Sequence, residues 1–337
     1  MMKGMCSLIS RKFSTNVTIR QFGNLTNGVY LLMKKLVFII GIIVVFGVKL
    51  SARDAYVLVL GVAQDGGYPH LGCEKECCNK AWKNDSLKRN VVSLALVDPD
   101  SKKWWLFEAT PDIKEQLELF KTLTKGEYSY LPAGIFITHA HIGHYAGLMQ
   151  LGREVMNAKE IPVYVLPKMK NYLETNGPWS QLVTLKNISL YNMDTVEALE
   201  PQKGILVSAF TVPHRDEYSE TAGFRIVTGK TSYLFIPDID KWQKWKTSII
   251  DMVRKTDVAF LDATFSDVKE LQNRKMEEVP HPFVSETMDL FKKEAKEEKV
   301  KIHFIHFNHT NPVMWDKTAK KKVLDQGFQV AEQGVKY

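Results

Sequence analysis

The chain has 337 residues, of which 45% are hydrophobic and 25% are charged, and this is the composition of an ordinary globular protein. The formal net charge of +7 could indicate a nucleic-acid partner, but residues 1–52 carry seven of the 45 basic residues and no acidic residue. The remaining 38 basic residues equal the 38 acidic residues in number. The body of the chain is therefore formally neutral, and we expect no nucleic-acid partner.

Residues 33–52 have the pattern of a secretory signal peptide. Met33 and two lysines precede the apolar run LVFIIGIIVVFGV, which at roughly thirteen residues is short for a membrane span. Ser51 and Ala52 then offer small side chains for cleavage. We therefore interpret residues 1–32 as a leader of doubtful translation that precedes the true start at Met33.

The signal pattern leaves two alternatives for where the protein resides. If the signal is cleaved, residues 53–337 form a single exported domain, which is periplasmic or extracellular. If it is not cleaved, residues 36–50 are an N-terminal anchor, and this segment is the only membrane contact that we expect. A buried core helix is disfavoured because the strand-like run YVLVLGVA follows at once.

Three cysteines follow the first predicted strand, residues 56–63, and the tight turn at residues 64–67. Cys73, Cys77 and Cys78 lie within a stretch of six residues. One interpretation is a structural zinc site with His70 as the fourth ligand. The alternative is a disulfide, which an exported protein permits.

The next predicted elements lead to a second cluster of polar residues. Strands at residues 91–98 and 104–108 precede a helix over residues 113–120, for which Asp112 is a candidate N-cap. A short buried strand follows at residues 135–137.

Three histidines follow that strand: His139, His141 and His144. Residues two apart point the same way on an extended segment, so His139 and His141 can converge on one point. We expect His144 at the start of a helix that runs as far as Met156. Neutral imidazole is a common zinc ligand, so the cluster predicts a metal site, with polar loop residues as the alternative.

The second half of the chain places further polar residues at strand ends. A strand at residues 163–165 and a helix near 169–174 come first, and residues 176–200 resemble a surface excursion. Strands at residues 205–212, 233–236, 258–261 and 302–307 follow. The polar residues after or at the ends of these strands are His214, Asp238, Asp262 and His306, with His309 close behind. His281 precedes a predicted helix at residues 285–294, which Ser285 would cap.

The histidine loop resembles the signature of the metallo-β-lactamase fold, His-x-His-x-Asp-His, with Gly143 in place of the aspartate. The run from His306 to Pro312 resembles the branch of that superfamily that contains pyrroloquinoline quinone biosynthesis protein B. The resemblance covers Tyr56 to about Val313. It implies an α/β fold, an αββα sandwich of two mixed sheets between helical layers, and the alternation of strands and helices agrees with this.

The resemblance also implies a metal centre, and we expect Zn²⁺, as one or two ions, with Mn²⁺ or Fe²⁺ as alternatives. The first ion would be held by His139, His141 and His214. The second would be held by His144, by Asp238 as a bridging and catalytic carboxylate, and by either His306 or His309. His281 would be a catalytic proton donor or an ordinary loop histidine, and Asp112 would brace the histidine loop.

Gly143 removes a carboxylate from the implied second site. We therefore expect a tight first site and a weak or empty second site. The alternative is that Asp65, Asp240 or His309 compensates for the missing side chain.

Three functions are compatible with this pattern. The first is an exported metallohydrolase in which metal-activated water attacks an ester, lactone, amide or phosphodiester of a small molecule. The second, implied by the resemblance, is an oxidative or hydroxylating role in quinone cofactor biosynthesis. The third is a non-catalytic metal or ligand carrier. The sequence has no GxxxxGK[ST], GxGxxG or GxSxG motif, which favours metal chemistry over nucleotide or serine chemistry.

Overall fold

The computed structural model describes residues 53–270, 275 and 278–337. The predicted signal segment at residues 33–52 and the upstream leader lie outside the described residues. Within the described part of the chain, no helix combines the length and apolar character needed to cross a membrane.

The first half of the described chain builds a six-stranded mixed sheet whose strands follow one another in sequence order. Its strands are β1 (Tyr56–Gly61), β2 (Ser93–Asp98), β3 (Lys103–Phe107), β4 (Ile135–Phe136), β5 (Ile161–Val165) and β6 (Ile188–Asn192). The pairs β1–β2 and β2–β3 are antiparallel, and the pairs from β3 to β6 are parallel.

The second half builds a seven-stranded mixed sheet in the order β13-β12-β11-β10-β9-β8-β7. Its strands are β7 (Leu199–Gln202), β8 (Ile205–Val212), β9 (Thr221–Val227), β10 (Ser232–Ile236), β11 (Val258–Asp262), β12 (Ile302–Ile305) and β13 (Gln329–Val330). Strands β7 to β10 pair antiparallel, and β10 to β13 pair parallel. Strands β8, β10, β11 and β12 consequently end at the same edge of the sheet.

Helices connect the strands and cover the sheets. The α-helices are α1 (Glu76–Trp82), α2 (Ile113–Leu123), α3 (Ile142–Tyr145), α4 (Pro167–Thr175), α5 (Trp179–Thr184), α6 (Ile249–Arg254), α7 (Val284–Leu290), α8 (Lys296–Lys299), α9 (Pro312–Trp315) and α10 (Lys317–Asp325). Short 3₁₀ helices span Asp85–Leu87, Ala146–Leu151 and Trp242–Lys244.

Strand β2 shows why the sheets pack as a sandwich, because every one of its residues is buried. Its successive side chains point to opposite faces. Leu94 and Leu96 pack in the core shared with the second sheet, whereas Ala95 and Val97 pack in the core that includes residues of α2. The two mixed sheets and their helices confirm the predicted fold class.

The structure corrects the prediction that residues 176–200 form a surface excursion. They contain α5 and β6, and β6 pairs with β5 as the edge strand of the first sheet. Leu182 and Ile188 anchor these elements in the core, at 2% and 1% exposure. The prediction failed because the flanking positions are polar, as they are on an edge strand with one solvated face.

Two predicted helices also differ from the observed ones. The helix after the histidine loop is only α3 and a 3₁₀ segment, which ends at Leu151 instead of continuing to Met156. The helix expected at residue 285 begins at Val284, and Ser285 is not its cap. Instead, the Glu286 carboxylate accepts a hydrogen bond from the Phe283 amide at 2.8 Å, which satisfies an unpaired amide at the helix start.

Candidate metal centre

The first of two neighbouring ligand clusters contains His139, His141, His214 and Asp238, whose ligand atoms all lie within 4.8 Å of one another. The Nε2 atom of His139 is 2.8 Å from Nδ1 of His141 and 3.4 Å from Oδ2 of Asp238. The His214 Nε2 atom is 3.8 Å from Oδ1 of Asp238. The loop after β4 and the ends of β8 and β10 therefore bring together the residues that the sequence predicts for one metal ion.

The second cluster contains Asp65, His144, Asp238 and His306. The His144 Nε2 atom lies 2.9 Å from Oδ2 of Asp238 and 3.3 Å from Oδ1 of Asp65. His306 Nε2 is 3.9 Å from the same Asp65 oxygen. Asp238 belongs to both clusters, as expected for a carboxylate that bridges two ions.

Most of these histidines have one ring nitrogen tied to a neighbour and the other directed into a cluster. The tied nitrogens are Nδ1 of His139, near the Thr138 hydroxyl at 2.9 Å, Nε2 of His141, near the Glu217 carboxylate at 3.0 Å, and Nδ1 of His306, near the Thr264 hydroxyl at 2.9 Å. Metal-binding histidines have this arrangement, because the partner of the second nitrogen fixes the orientation and tautomer of the ring.

Several atoms that face the clusters are buried and have no hydrogen-bond partner among the described residues. They are Oδ1 of Asp65, Nε2 of His144, Nε2 of His214, Oδ1 of Asp238 and Nε2 of His306. A buried polar atom without a partner is costly and uncommon in folded proteins. Coordination of a cation would satisfy these atoms, and the imidazole and carboxylate donors fit Zn²⁺ or a similar ion.

The electrostatics favour metal-binding protonation states at Asp238, His139 and His214, but not at His144. Burial lowers the pKa of His144, but the neighbouring Glu108, Asp238 and Asp65 carboxylates outweigh it and hold that pKa well above its usual value. Burial raises the pKa of Asp238, but the imidazoles of His306 and His214 outweigh it and hold that pKa well below its usual value. Burial lowers the pKa of His214 to about 4, and burial with the neighbouring His144 places the pKa of His139 well below its usual value. An ionised carboxylate and neutral imidazoles are the forms that coordinate a cation.

Glu108, at the end of β3, contacts the histidine loop and was not predicted as a site residue. It is completely buried with a φ of 73°, and its Oε2 atom is 3.4 Å from Nδ1 of His144. Asp112, predicted either to brace this loop or to cap a helix, does neither with its side chain. It precedes α2 without making a capping bond, and its carboxylate accepts a hydrogen bond from the Val91 amide at 2.9 Å.

His281 belongs to a further group with Asp238, Asp262 and His306, whose ligand atoms also lie within 4.8 Å of one another. Its Nδ1 atom is 2.8 Å from Oδ2 of Asp262 and 3.2 Å from Oδ1 of Asp238. Asp262 is itself fixed by hydrogen bonds from the amides of Ile239 and Thr264, at 3.1 and 2.9 Å. His281 also lines a cavity of about 420 Å³.

Asp240 lies outside both clusters, although it was one of three candidates to replace the missing carboxylate. Its two oxygens accept hydrogen bonds from the Lys241 amide and the Lys244 ammonium group, each at 2.7 Å. Of those three candidates, Asp65 is the one that the structure places in the second cluster.

The three cysteines form a separate cluster with His309. His309 Nδ1 is 3.4 Å from Sγ of Cys78, and Cys73, Cys77 and Cys78 are all free thiols in the structure. His309 is therefore corrected from a ligand of the second ion to a member of this cluster. A φ of 65° at His306 turns the chain at the end of β12, which separates the two histidines.

His70 is not the fourth member of the cysteine cluster, contrary to the sequence prediction. Its ring stacks on His309 with the centroids 4.4 Å apart, and its Nδ1 atom lies 2.9 Å from the Leu71 carbonyl oxygen. Sequence proximity favoured His70, whereas the fold brings His309 to the cysteines from a segment 231 residues away from Cys78.

Comparisons with known proteins agree with this architecture. Coenzyme PQQ synthesis protein B of Methylorubrum extorquens (strain PA1) is 25% identical over 312 residues, which cover 83% of this chain and 98% of that protein. Zn(2+)-bound PqqB from Methylobacterium extorquens has a TM-score of 0.68 at 22% identity, covering 84% of this chain and 99% of that one. A diphosphatase from the PhnP family has a TM-score of 0.61 at 22% identity, covering 85% and 97%.

The match to a family description completes the assignment. Residues 103–304, which include the histidine loop and Asp238 and end within β12, match the family model described as "Beta-lactamase superfamily domain". With the two-sheet fold and the strand-end clusters, this match shows that the chain belongs to the β-lactamase superfamily as a metallo-β-lactamase-fold protein with PqqB homologues.

Proposed function

We propose that this protein is a metal-dependent hydrolase that acts on an ester, lactone, amide or phosphodiester bond of a small molecule. The observation that carries the proposal is the pair of ligand clusters that share Asp238. When bound there, Zn²⁺, or alternatively Mn²⁺ or Fe²⁺, would lower the pKa of water and polarise the scissile bond.

The residues around the clusters have distinct roles in this proposal. His139, His141 and His214 hold one ion, and His144, His306 and Asp238 contribute to the second. Asp262 fixes the ring of His281 through Nδ1, at 2.8 Å, which leaves Nε2 as the atom that can donate a proton to a leaving group. The adjacent cavity of about 420 Å³ is of a size that suits a small molecule.

The test is a panel of chromogenic esters, anilides and phosphodiesters, together with lactones, assayed with metal-stripped protein and after reloading with each metal. We expect hydrolysis of at least one class that depends on metal and falls about 100-fold or more in Asp238→Asn. Asp325→Asn, which alters an exposed carboxylate on α10, is the matched control. Metal binding without any turnover would instead support a carrier.

A role in quinone cofactor biosynthesis is the second candidate. It is supported by the similarity to coenzyme PQQ synthesis protein B over 98% of the length of that protein. The chain would be expressed without its first 52 residues in a strain that lacks this synthesis protein. Restored coenzyme formation would favour an oxidative or hydroxylating role over hydrolysis.

A further inference from the structure

The space beside Gly143 is filled by the side chain of Asp65. A Cβ atom added to Gly143 would overlap Oδ1 of Asp65 and would lie 2.6 Å from its Cα atom. No side chain can therefore be placed at position 143 unless the turn that carries Asp65 moves.

The turn that carries Asp65 is attached to the segment that carries His306. The Gln64 amide donates a hydrogen bond to the Phe307 carbonyl at 2.8 Å, and the Gly67 amide donates one to the Gln64 carbonyl at 2.7 Å. Gly67 has a φ of 67°, a conformation that suits glycine in a tight turn. These backbone hydrogen bonds hold Asp65 next to His306, the residue that follows β12.

The Asp65 carboxylate points into the second cluster. Its Oδ1 atom is 3.3 Å from His144 Nε2 and 3.9 Å from His306 Nε2. All three atoms are buried, and none has a hydrogen-bond partner among the described residues. A cation between them would be coordinated by all three.

Charge explains why a carboxylate is needed here. Two neighbouring dications repel each other, and imidazole ligands bring no negative charge to offset this. Without Asp65, the second cluster has a single carboxylate, Asp238, which the first cluster shares. Asp65 brings the second anionic ligand, and hard carboxylate oxygens suit divalent cations.

We infer that Asp65 is a ligand of the second metal ion and replaces the carboxylate that Gly143 lacks. A carboxylate at either position 65 or position 143, but not at both, can then serve the second site. The inference rests on the proposed metal-dependent function. It favours the alternative in which Asp65 compensates for the missing side chain over the expectation of a weak second site.

The test uses the swap in the full-length protein. Elemental analysis after dialysis against metal-free buffer counts the zinc ions retained by the wild type, Asp65→Gly, Gly143→Asp and the double variant Asp65→Gly/Gly143→Asp. We expect Asp65→Gly to retain about one ion fewer than the wild type, and the double variant to recover it. Gly143→Asp alone should lower both the zinc content and the melting temperature, because the two carboxylates overlap. Gln64→Ala, on the same turn, should retain as much zinc as the wild type.

The outcomes separate this inference from the proposed function. Asp65→Gly with the zinc content of the wild type, or a double variant that retains no more zinc than Asp65→Gly, would overturn the role of Asp65 and leave metal-dependent hydrolysis intact. A centre that retains its ions but hydrolyses nothing in the panel would overturn the proposed activity and leave the role of Asp65 intact.

Discussion

Residues at the ends of the strands determine the chemistry of the centre. Asp238 belongs to both clusters, whereas His139 and His214 belong only to the first. Each of these two histidines offers a nitrogen that no other side chain of the first cluster can replace. Loss of either residue should therefore weaken metal binding directly.

His139→Ala or His214→Ala should each weaken metal binding by more than about 100-fold, because each removes one of the ligands of the first site. The melting temperature should also fall, since metal that binds only the folded state stabilises it. Elemental analysis and thermal unfolding measure the two effects, and Asp325→Asn is the control because this exposed carboxylate lies outside both clusters. Metal content near that of the wild type in both alanine variants would refute the assignment.

His303 should make the fold sensitive to acid. Burial lowers its pKa from 6.5 to about 4, so the folded state binds this proton only at lower pH than the unfolded state does. The unfolded state therefore binds more protons between these two values, and stability falls as the pH is lowered through them.

Between about pH 7.5 and about pH 5, the free energy of unfolding of the wild type should fall by on the order of 2 kcal/mol more than that of His303→Gln, because the variant lacks this titrating group. Urea unfolding of the wild type and the variant at the two pH values measures the difference. An equal loss of stability in both proteins would show that His303 does not contribute to the acid sensitivity.

Some site residues could be predicted from local sequence and others could not. His139, His141 and His144 share one loop, and His214 and Asp238 each follow an apolar strand, so the local pattern marks them. Glu108 gives no such signal, because it directly continues the apolar strand β3. The proximity of Asp65 to Gly143 depends on the packing of two distant segments, which no local pattern contains.

At the level of elements, strands with buried apolar runs were predicted well and polar edge elements were not. Strands β2 and β10 bury most of their residues, and β8 alternates between buried and more exposed residues. Strand β6 exposes part of its length and α5 is short, so neither has a clear periodicity. The sandwich of two mixed sheets came from the family resemblance, and the order of the strands, which is a consequence of long-range packing, was not predicted.

The segment after β12 connects the two metal-binding regions, since His306 and His309 lie on it three residues apart. His309 forms one cluster with Cys73, Cys77 and Cys78.

We predict that Cys77→Ser removes about one zinc ion per chain and lowers the melting temperature, because a structural zinc site contributes to folding. Zinc counting and thiol titration of the native protein test this. Three freely reactive cysteines in the native wild type would contradict a bound metal at this cluster.

At the level of the whole molecule, the distribution of charge and the N-terminal signal pattern bear on the compartment and on the partners of the protein. Residues 1–52 carry all of the formal excess of positive charge, and the body is neutral. We propose that the body is exported after cleavage of the signal and acts on small molecules without a nucleic-acid partner.

The mature protein should begin near Arg53, because small residues at positions 51 and 52 follow the apolar core of the signal. N-terminal sequencing of protein from the native host identifies the first residue and the compartment from which it was isolated. An intact Met1 on protein from the cytosol would contradict export, and an intact Met33 on membrane-bound protein would instead support the anchor over residues 36–50.

The most direct test of the whole account is a crystal structure of the zinc-loaded protein with anomalous diffraction recorded at the zinc edge. We predict about two peaks in the centre, both in contact with Asp238 and one of them with Asp65, and a third among Cys73, Cys77, Cys78 and His309. Well-ordered His139, His144 and Asp238 side chains without any anomalous peak between them would contradict the account.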